Sequence, residues 1–327
     1  MIKFFRQSYA IQYVVIALMA IALWIPAFVM GKTTMGLNQP VTPLFNLVER
    51  ILGFSPIVQH IVAFLLLVLE TLIFNAILVN NQIVGKVSTM GAFVFVLLMS
   101  LTGTQTQFYP FAMATIFILI MISRVYDIYL MQSPEINLLE AGALIALASM
   151  CYFPAIVLII WVFIVLPIAK KGSLRLQLIP IFGFLFVYFL YFVAYYLFGD
   201  FKALMQGYAD YFTSFRLSVA GFNLRVIALL AFLILSTVFM LFGSKNSNFE
   251  KTVAVRTKIS MTLVLALFAI FLLFLGGNVL MHGLLFIALS ILISYAFSYM
   301  GNTGWANLIL ILFMVLVFAN HYYFKML

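Results

Sequence analysis

The chain has 327 residues, of which 66% are hydrophobic and only 8% are charged, with a formal net charge of +9. Soluble domains carry about 25% charged residues, so this composition excludes a soluble enzyme, a secreted domain and a disordered chain. In a membrane protein the excess of Lys and Arg is an orientation signal. The sequence lacks a basic patch with interleaved aromatic residues outside its apolar runs, so nucleic-acid binding is not expected.

Apolar runs bounded by charged residues, Gly, Pro or Asn predict an all-α, polytopic transmembrane helix bundle of ten or eleven spans. The run that follows the N-terminus ends without a small-residue cleavage site, so we expect an uncleaved first helix. Four runs are shorter than the roughly 20 residues a span usually needs, and the pair at 87–123 can form a hairpin that does not cross. The expected spans are 11–30, 57–79, 87–101, 108–123, 138–152, 155–169, 176–198, 222–242, 259–275, 279–299 and 306–322.

The distribution of basic residues predicts the orientation. With eleven spans and the N-terminus inside, eleven of the 17 Lys and Arg residues fall in inside loops and six in outside loops. This bias predicts a cytoplasmic N-terminus and a C-terminus outside. We expect residues 1–242 to form the main bundle, 243–258 a polar cytoplasmic linker, and 259–327 the C-terminal transmembrane helices.

Two outer loops, 31–56 and 199–221, carry apolar residues at helical spacing. This period predicts amphipathic helices at the outer membrane interface, and a plain linker is the alternative. Small residues crowd 141–149, which predicts a helix that approaches its neighbours closely. The run 182–198 is aromatic almost all round, as expected of a helix that faces lipid or binds a lipid tail.

Glu70 is the least expected residue, because it lies near the middle of a predicted span. A charge there costs about 2.5–3.5 kcal/mol on insertion scales. Helical spacing places Glu70 with Gln59, His60, Thr71 and Asn75 within about 160° of arc, so this polar side is expected to face the bundle interior. Three interpretations stay open: a neutral structural carboxyl, one wall of a substrate cavity, or a proton-coupling group.

Glu49 and Arg50 lie side by side on the first predicted outer helix. In a transferase working on the outer face, Glu49 would be the general base that takes a proton from the acceptor hydroxyl. Arg50 and Arg216 would contact a phosphate. The alternative for Glu49 and Arg50 is a solvated charge pair. Asp200 and Asp210, on the second outer loop, would complete an outer vestibule.

Arg124 and Asp127 are three residues apart at a predicted cytoplasmic helix end, where they can form an ion pair or contact a phosphate. No His-x-x-x-His, Walker or dinucleotide-binding glycine motif occurs. The single cysteine, Cys151, excludes an intramolecular disulfide and a Cys-based zinc site. We therefore expect neither a metal site nor a cofactor.

Three segments carry a resemblance to a known family: VNNQIVGKVSTMGAFVFVLLMSL, ISRVYDIYLMQSPEINLLEAGALIALASMCYFPAIVLIIWVFI and LRLQLIPIFGFLFVYFLY. Their order and spacing resemble an uncharacterised family of polytopic inner-membrane proteins from Bacteroidota. The resemblance covers roughly residues 64–199. It implies location and topology, and it carries no activity.

The order of a span, an outer loop with an amphipathic helix, a second span and short paired helices is similar to that of the GT-C superfamily. These membrane glycosyltransferases use polyprenyl-phosphate sugars and usually carry a catalytic acid early in the first outer loop. Here residues 31–47 contain no acid, and Glu49 stands alone. The resemblance implies a polyprenyl-phosphate-linked sugar as substrate.

The leading expectation is a protein that handles a lipid-linked substrate in envelope glycan assembly, as a GT-C-like transferase or a degenerate relative. One alternative is a proton-coupled transporter or flippase that uses Glu70. Another is a non-catalytic subunit of a larger membrane complex. The expected partners are membrane lipids, the lipid-linked sugar and, for the last alternative, other membrane proteins.

Overall fold

The fold consists of helices. A computed structural model describes residues 2–7, 9–30, 42–52, 56–85, 87–101, 108–199, 201–214, 231–239, 253–276, 282–300 and 303–322. Every regular element in these ranges is helical, which confirms the all-α part of the predicted fold class. The α-helices are α1 (Ile2–Phe5), α2 (Ala10–Met30), α3 (Pro43–Leu52), α4 (Pro56–Asn80), α5 (Met90–Met99), α6 (Pro110–Asp127), α7 (Glu135–Cys151), α8 (Leu158–Ile168), α9 (Leu174–Phe198), α10 (Phe201–Ser214), α11 (231–239), α12 (Val253–Gly276), α13 (His282–Tyr299) and α14 (Thr303–Tyr322), and a 3-10 helix (Phe153–Val157) precedes α8.

Among the described residues, five helices are long and apolar enough to cross a membrane, which makes this a membrane protein by length and composition. They are Ile57–Asn80, Pro110–Asp127, Leu174–Phe198, Val253–Leu273 and His282–Tyr299. Shorter apolar helices account for most of the other predicted spans. The sequence placed 253–258 in the cytoplasmic linker, but these residues form the first turns of α12; the linker's residues 243–252 lie outside the described ranges.

Both predicted amphipathic helices form. The first predicted outer loop contains α3, and the second contains α10. In each, apolar residues recur at the helical period, which explains why loops of this length fold into helices rather than extended linkers.

The chain divides into two compact units, and the first comprises Met1–Thr33, His60–Phe108 and Ser218–Leu327. Its centre is formed by α5 and α13, which pack against each other. All ten residues of α5 are buried, as are residues 282–297 of α13. Both helices are apolar almost all round, as expected of helices enclosed by others. By contrast α4 leaves one apolar side exposed, including Ile61, Leu65 and Leu72, as expected of a helix that faces lipid.

Hydrogen bonds fasten several helices together at one end of the first unit. Arg6 Nη2 donates to the carbonyl oxygens of Phe297 and Met300, each at 2.8 Å, at the end of α13. Lys258 Nζ, in the first turns of α12, donates to Asn81 Oδ1 at 2.8 Å, directly after α4. Cations at the carbonyl ends of helices offset the negative pole of the helix dipole. We call this end of the first unit the basic end.

The second compact unit comprises Thr34–Gln59 and Tyr109–Leu217. Its principal helix pair is α7 and α9, with α6 on α7. Gly142 and Gly183 permit this crossing, because a Cβ at Gly142 would collide with the carbonyl oxygen of Pro180 and one at Gly183 with that of Leu139. The small residues of 141–149 therefore bring α7 close to its neighbour, as the sequence predicted.

Candidate functional site

The second unit contains a group of tyrosine side chains where α7 and α9 end and α10 begins. It starts from Ser149, whose Oγ lies 2.8 Å from the hydroxyl of Tyr188 on α9. Ser149 also donates to the carbonyl oxygen of Ala146 at 2.7 Å. Since a serine hydroxyl has one proton, Tyr188 is the donor in the first bond. This hydrogen bond joins the C-terminal half of α7 to α9.

The chain after α7 adds further rings. Tyr152 follows Cys151 in an extended conformation, which ends α7 and turns its ring against Phe111 with 5.6 Å between ring centroids. Phe153 opens the 3-10 helix and meets α10 through edge-to-face contacts with Tyr208 at 5.8 Å and Tyr211 at 5.0 Å. Such contacts between aromatic rings are worth about 0.5–1.5 kcal/mol each beyond the area they bury. They hold α10 over the end of the α7–α9 pair.

We name this group the tyrosine cluster: Ser149, Tyr152, Tyr188, Tyr191, Tyr208 and Tyr211. The hydroxyls of Tyr152, Tyr191 and Tyr208 are buried and make no hydrogen bond within the described part of the chain. Tyr208 and Tyr191 do interact with the hydroxyls of Tyr188 and Tyr195, respectively, but at a geometry short of a full hydrogen bond. Buried polar groups without partners cost about 1–3 kcal/mol each, so these hydroxyls are available to a further hydrogen-bonding group.

The cluster is electrically neutral at physiological pH. Burial raises the pKa of Tyr208 and of Tyr211 on α10 above the ordinary value of 10.0. Both phenols therefore keep their protons and act as neutral donors and acceptors. Neutral hydroxyls beside the faces of aromatic rings suit a neutral ligand that carries hydroxyl or carbonyl groups.

The predicted outer residues are only partly described. Glu49 is half-buried and Arg50 exposed on α3, which packs against α7 in the second unit. Asp210 is exposed on α10 in the same unit. Asp200 and Arg216 lie outside the described residues, so the full outer vestibule stays a prediction. The structure thus assigns both predicted outer helices to one compact unit.

The polar side of α4 is buried, as its spacing predicted. Glu70 is 2% exposed, His60 3% and Asn75 5%, and Gln59 and Thr71 are buried with them. Their roles differ, however. Asn75 accepts from the backbone N–H of Ala92 and donates to the carbonyl oxygen of Ser88 and the hydroxyl of Tyr13, each at 3.2 Å, so it fastens α4 to α5 and α2.

Arg124 makes a salt bridge to a residue that helical spacing did not indicate. Its Nε lies 2.9 Å from Glu140 Oε2 on α7, and both side chains are more than 40% exposed, at 43% and 41%. Such an exposed pair is worth about 0–1 kcal/mol. Asp127 is half-buried at the end of α6. The pair links α6 to α7 and has the geometry of a structural contact.

The sequence analysis did not predict the tyrosine cluster, although the helical spacing of tyrosines on α9 indicated it. On α9 the residues Tyr188, Tyr191 and Tyr195 recur at helical spacing, while Phe186 and Phe189 are 60% and 63% exposed. Phe186 and Phe189 face outward, as the sequence suggested, whereas Tyr188 and Tyr191 face α7 and α10. Tyr196, which is 73% exposed, does not follow this division.

Among the described residues, no group of three or more His, Cys, Asp and Glu side chains is placed to hold a metal ion. The tyrosine cluster likewise presents no charged group from its own members. No protein-family model, no curated protein and no solved structure matches this chain.

Proposed function

We propose that this chain binds the head group of a lipid-linked saccharide at the tyrosine cluster, as part of envelope glycan assembly. The observation that carries the proposal is the set of three buried phenol hydroxyls without hydrogen-bond partners among the described residues, at Tyr152, Tyr191 and Tyr208. Sugars offer hydroxyl groups to such phenols and apolar C–H faces to the rings beside them. The exposed phenylalanine side chains of α9 would contact the lipid tail within the bilayer.

The same unit contains the groups that a transfer reaction would use. In this proposal Glu49 takes the proton of an acceptor hydroxyl as that oxygen bonds to the anomeric carbon. The bond between the anomeric carbon and the phosphate oxygen breaks, and the phosphate leaves with the negative charge. Arg50 neutralises that charge. The tyrosine cluster orients the sugar between these groups and supplies no proton of its own.

Orientation belongs to the proposal too. We place the basic end of the first unit in the cytoplasm of a bacterial inner membrane, because Arg6, Arg256 and Lys258 lie near it and basic residues favour that side. In the predicted topology α10 belongs to the second outer loop, so we separately place the tyrosine cluster at the outer face, where polyprenyl-phosphate sugars would be used.

Replacement of tyrosine by phenylalanine separates binding from folding. Tyr152→Phe and Tyr208→Phe remove only a hydroxyl that has no hydrogen-bond partner among the described residues, so the fold should be unchanged or up to about 1 kcal/mol more stable. The saccharide, however, would lose its hydrogen-bond partners. We therefore expect a chain that is stable and inactive.

The experiment is deletion of the gene in its native host, followed by mass spectrometry of lipid-linked saccharides and surface glycans. Wild type and the control Tyr9→Phe, at an exposed tyrosine of the first unit, should clear the precursor that accumulates. Tyr152→Phe, Tyr208→Phe and Glu49→Gln should not clear it. An unchanged saccharide profile after deletion would overturn the proposal, and full activity of both phenylalanine variants would remove the tyrosine cluster from it.

A further inference from the structure

The interior of the first unit has a feature that saccharide binding does not use: a helix that ends inside the protein. With ten residues, α5 is about 15 Å long, half the roughly 30 Å of a bilayer's hydrocarbon core. It begins at the basic end, where the N–H of Thr89 donates to the carbonyl oxygen of Phe5 at 3.0 Å. All of its residues are buried, so its carbonyl end lies in the core of the unit. That end carries the negative pole of the helix dipole.

The register between α4 and α5 places Glu70 at this carbonyl end. The two helices run in opposite directions, because Leu78 lies beside Gly91, Asn75 accepts from the N–H of Ala92 at 3.2 Å, and Phe74 stacks on Phe95 at 4.5 Å. Followed toward the start of α4, the same register brings Glu70 level with residues 97–99, within one turn of Ser100. Glu70 and the carbonyl end of α5 thus share one depth.

A third helix passes the same depth. Arg6 binds the last carbonyl oxygens of α13 beside the start of α5, so α13 and α5 are antiparallel. About 15 Å from that end, the length of α5, α13 reaches residues 287–290. Ser290 lies there and is completely buried.

Three side-chain oxygens at this depth lack hydrogen-bond partners within the described ranges: Glu70 Oε1, Ser100 Oγ and Ser290 Oγ. The three residues are 2%, 0% and 0% exposed. Ser100 caps α5, so its hydroxyl stands at the carbonyl end itself. One isolated hydroxyl is easily tolerated. A carboxylate oxygen and two hydroxyls, at the depth where a helix presents its carbonyl end, are of the ligand types that hard cations prefer.

We propose that an alkali cation, with Na⁺ as the best match, binds in the first unit between Glu70 and the carbonyl end of α5. Ser100 and Ser290 supply hydroxyl ligands. This site is separate from the tyrosine cluster and does not depend on the saccharide proposal.

Charge balance selects a monovalent cation. Glu70 supplies one negative charge, while serine hydroxyls and carbonyl groups are neutral donors. A single positive charge gives a neutral site, whereas a divalent cation would leave an uncompensated charge in a medium where that is costly. Discontinuous helices whose carbonyl ends coordinate Na⁺ are a recognised arrangement in membrane transport proteins.

Thermal unfolding of the purified full-length protein in nanodiscs tests the proposal, with NaCl compared against KCl and choline chloride at equal ionic strength. An ion that binds only the folded state raises Tm, and about 200 mM NaCl should raise it by roughly 3–8 °C over choline chloride. Glu70→Gln and Ser100→Ala should abolish this difference. Ser100→Ala removes only a hydroxyl without a partner among the described residues, so it should fold.

Thr71→Val is the matched control, because the Thr71 hydroxyl already donates to the carbonyl oxygen of Leu67 at 2.6 Å within α4. It should retain the sodium response, as should Tyr152→Phe. Equal Tm in the three salts, or an equal sodium response in wild type and Ser100→Ala, would overturn the cation site. Either result would leave the saccharide proposal untouched, since that proposal is read from the glycan profile.

Discussion

The crossing of α7 and α9 gives the sharpest prediction of stability. Substitution of Gly142 by Ala puts a Cβ against the carbonyl oxygen of Pro180, well within the distance at which something must move. The obstacle is backbone, so no side-chain rotation relieves it, and the two helices must separate. A gap of about 0.5–1 Å forfeits a quarter to a half of each dispersion contact at the crossing. Over roughly fifty atom pairs at about 0.15 kcal/mol, that loss is about 3 kcal/mol.

Helix propensity acts in the opposite direction, since Ala is favoured over Gly by about 1 kcal/mol in a helix interior. We therefore expect Gly142→Ala to lower the free energy of unfolding by about 2 kcal/mol. Unfolding by steric trapping in bicelles measures this value. Gly85→Ala is the control, because nothing lies within 4 Å of a Cβ built there, and it should change stability by less than about 1 kcal/mol. If Gly142→Ala is as stable as wild type, or more stable, the close crossing is wrong.

Three further predictions concern hydrogen bonds and ionisation. Asn75→Ala removes the acceptor of the Ala92 N–H and should lower the free energy of unfolding by about 2–4 kcal/mol in the same assay. An unchanged free energy of unfolding would show that Asn75 does not join α4 to α5. Lys258→Met removes the 2.8 Å bond to Asn81 Oδ1 and should cost about 1–3 kcal/mol, whereas an unchanged stability would contradict this bond. Burial raises the pKa of Tyr208 above its unfolded value of 10.0. The stability that the protonated Tyr208 phenol contributes to the fold is therefore complete below pH 10, and it is lost as the pH rises through the folded-state pKa. Tyr208→Phe should therefore shift alkaline unfolding, followed by circular dichroism, to higher pH, and an unshifted midpoint would place this phenol in water.

Local pattern was enough to predict several of the helices and the buried side of α4. The period of α4 placed Glu70 and Asn75 on the buried side, because a helix that crosses lipid has only one side on which polar groups are tolerated. The same period predicted α3 and α10. These predictions need only the spacing of residues within one element and the cost of polar groups in lipid.

Contacts between helices were harder to predict. Glu140 Oε2 lies 2.9 Å from Arg124 Nε, but Glu140 is on the next helix, and spacing along α6 indicated only Asp127. The tyrosine cluster depends on the angle and separation of α7 and α9, which Gly142 sets through its contact with a backbone carbonyl. The sequence also did not predict that α5 ends inside the protein, because a run of ten apolar residues has the same composition whether the helix belongs to a full span or stops partway.

The enclosure of α5 has a consequence for biosynthesis. Its main packing partner is α13, and residues 100–281 separate the two helices in the chain. At roughly 5–20 residues per second, a ribosome takes about 10–40 s to make that interval. During this time α5 is too short to anchor itself across the bilayer and has no cover from α13. Membrane insertion factors or lipid must shelter it, so loss of the last helices should expose the first unit to proteolysis even when every earlier span has inserted.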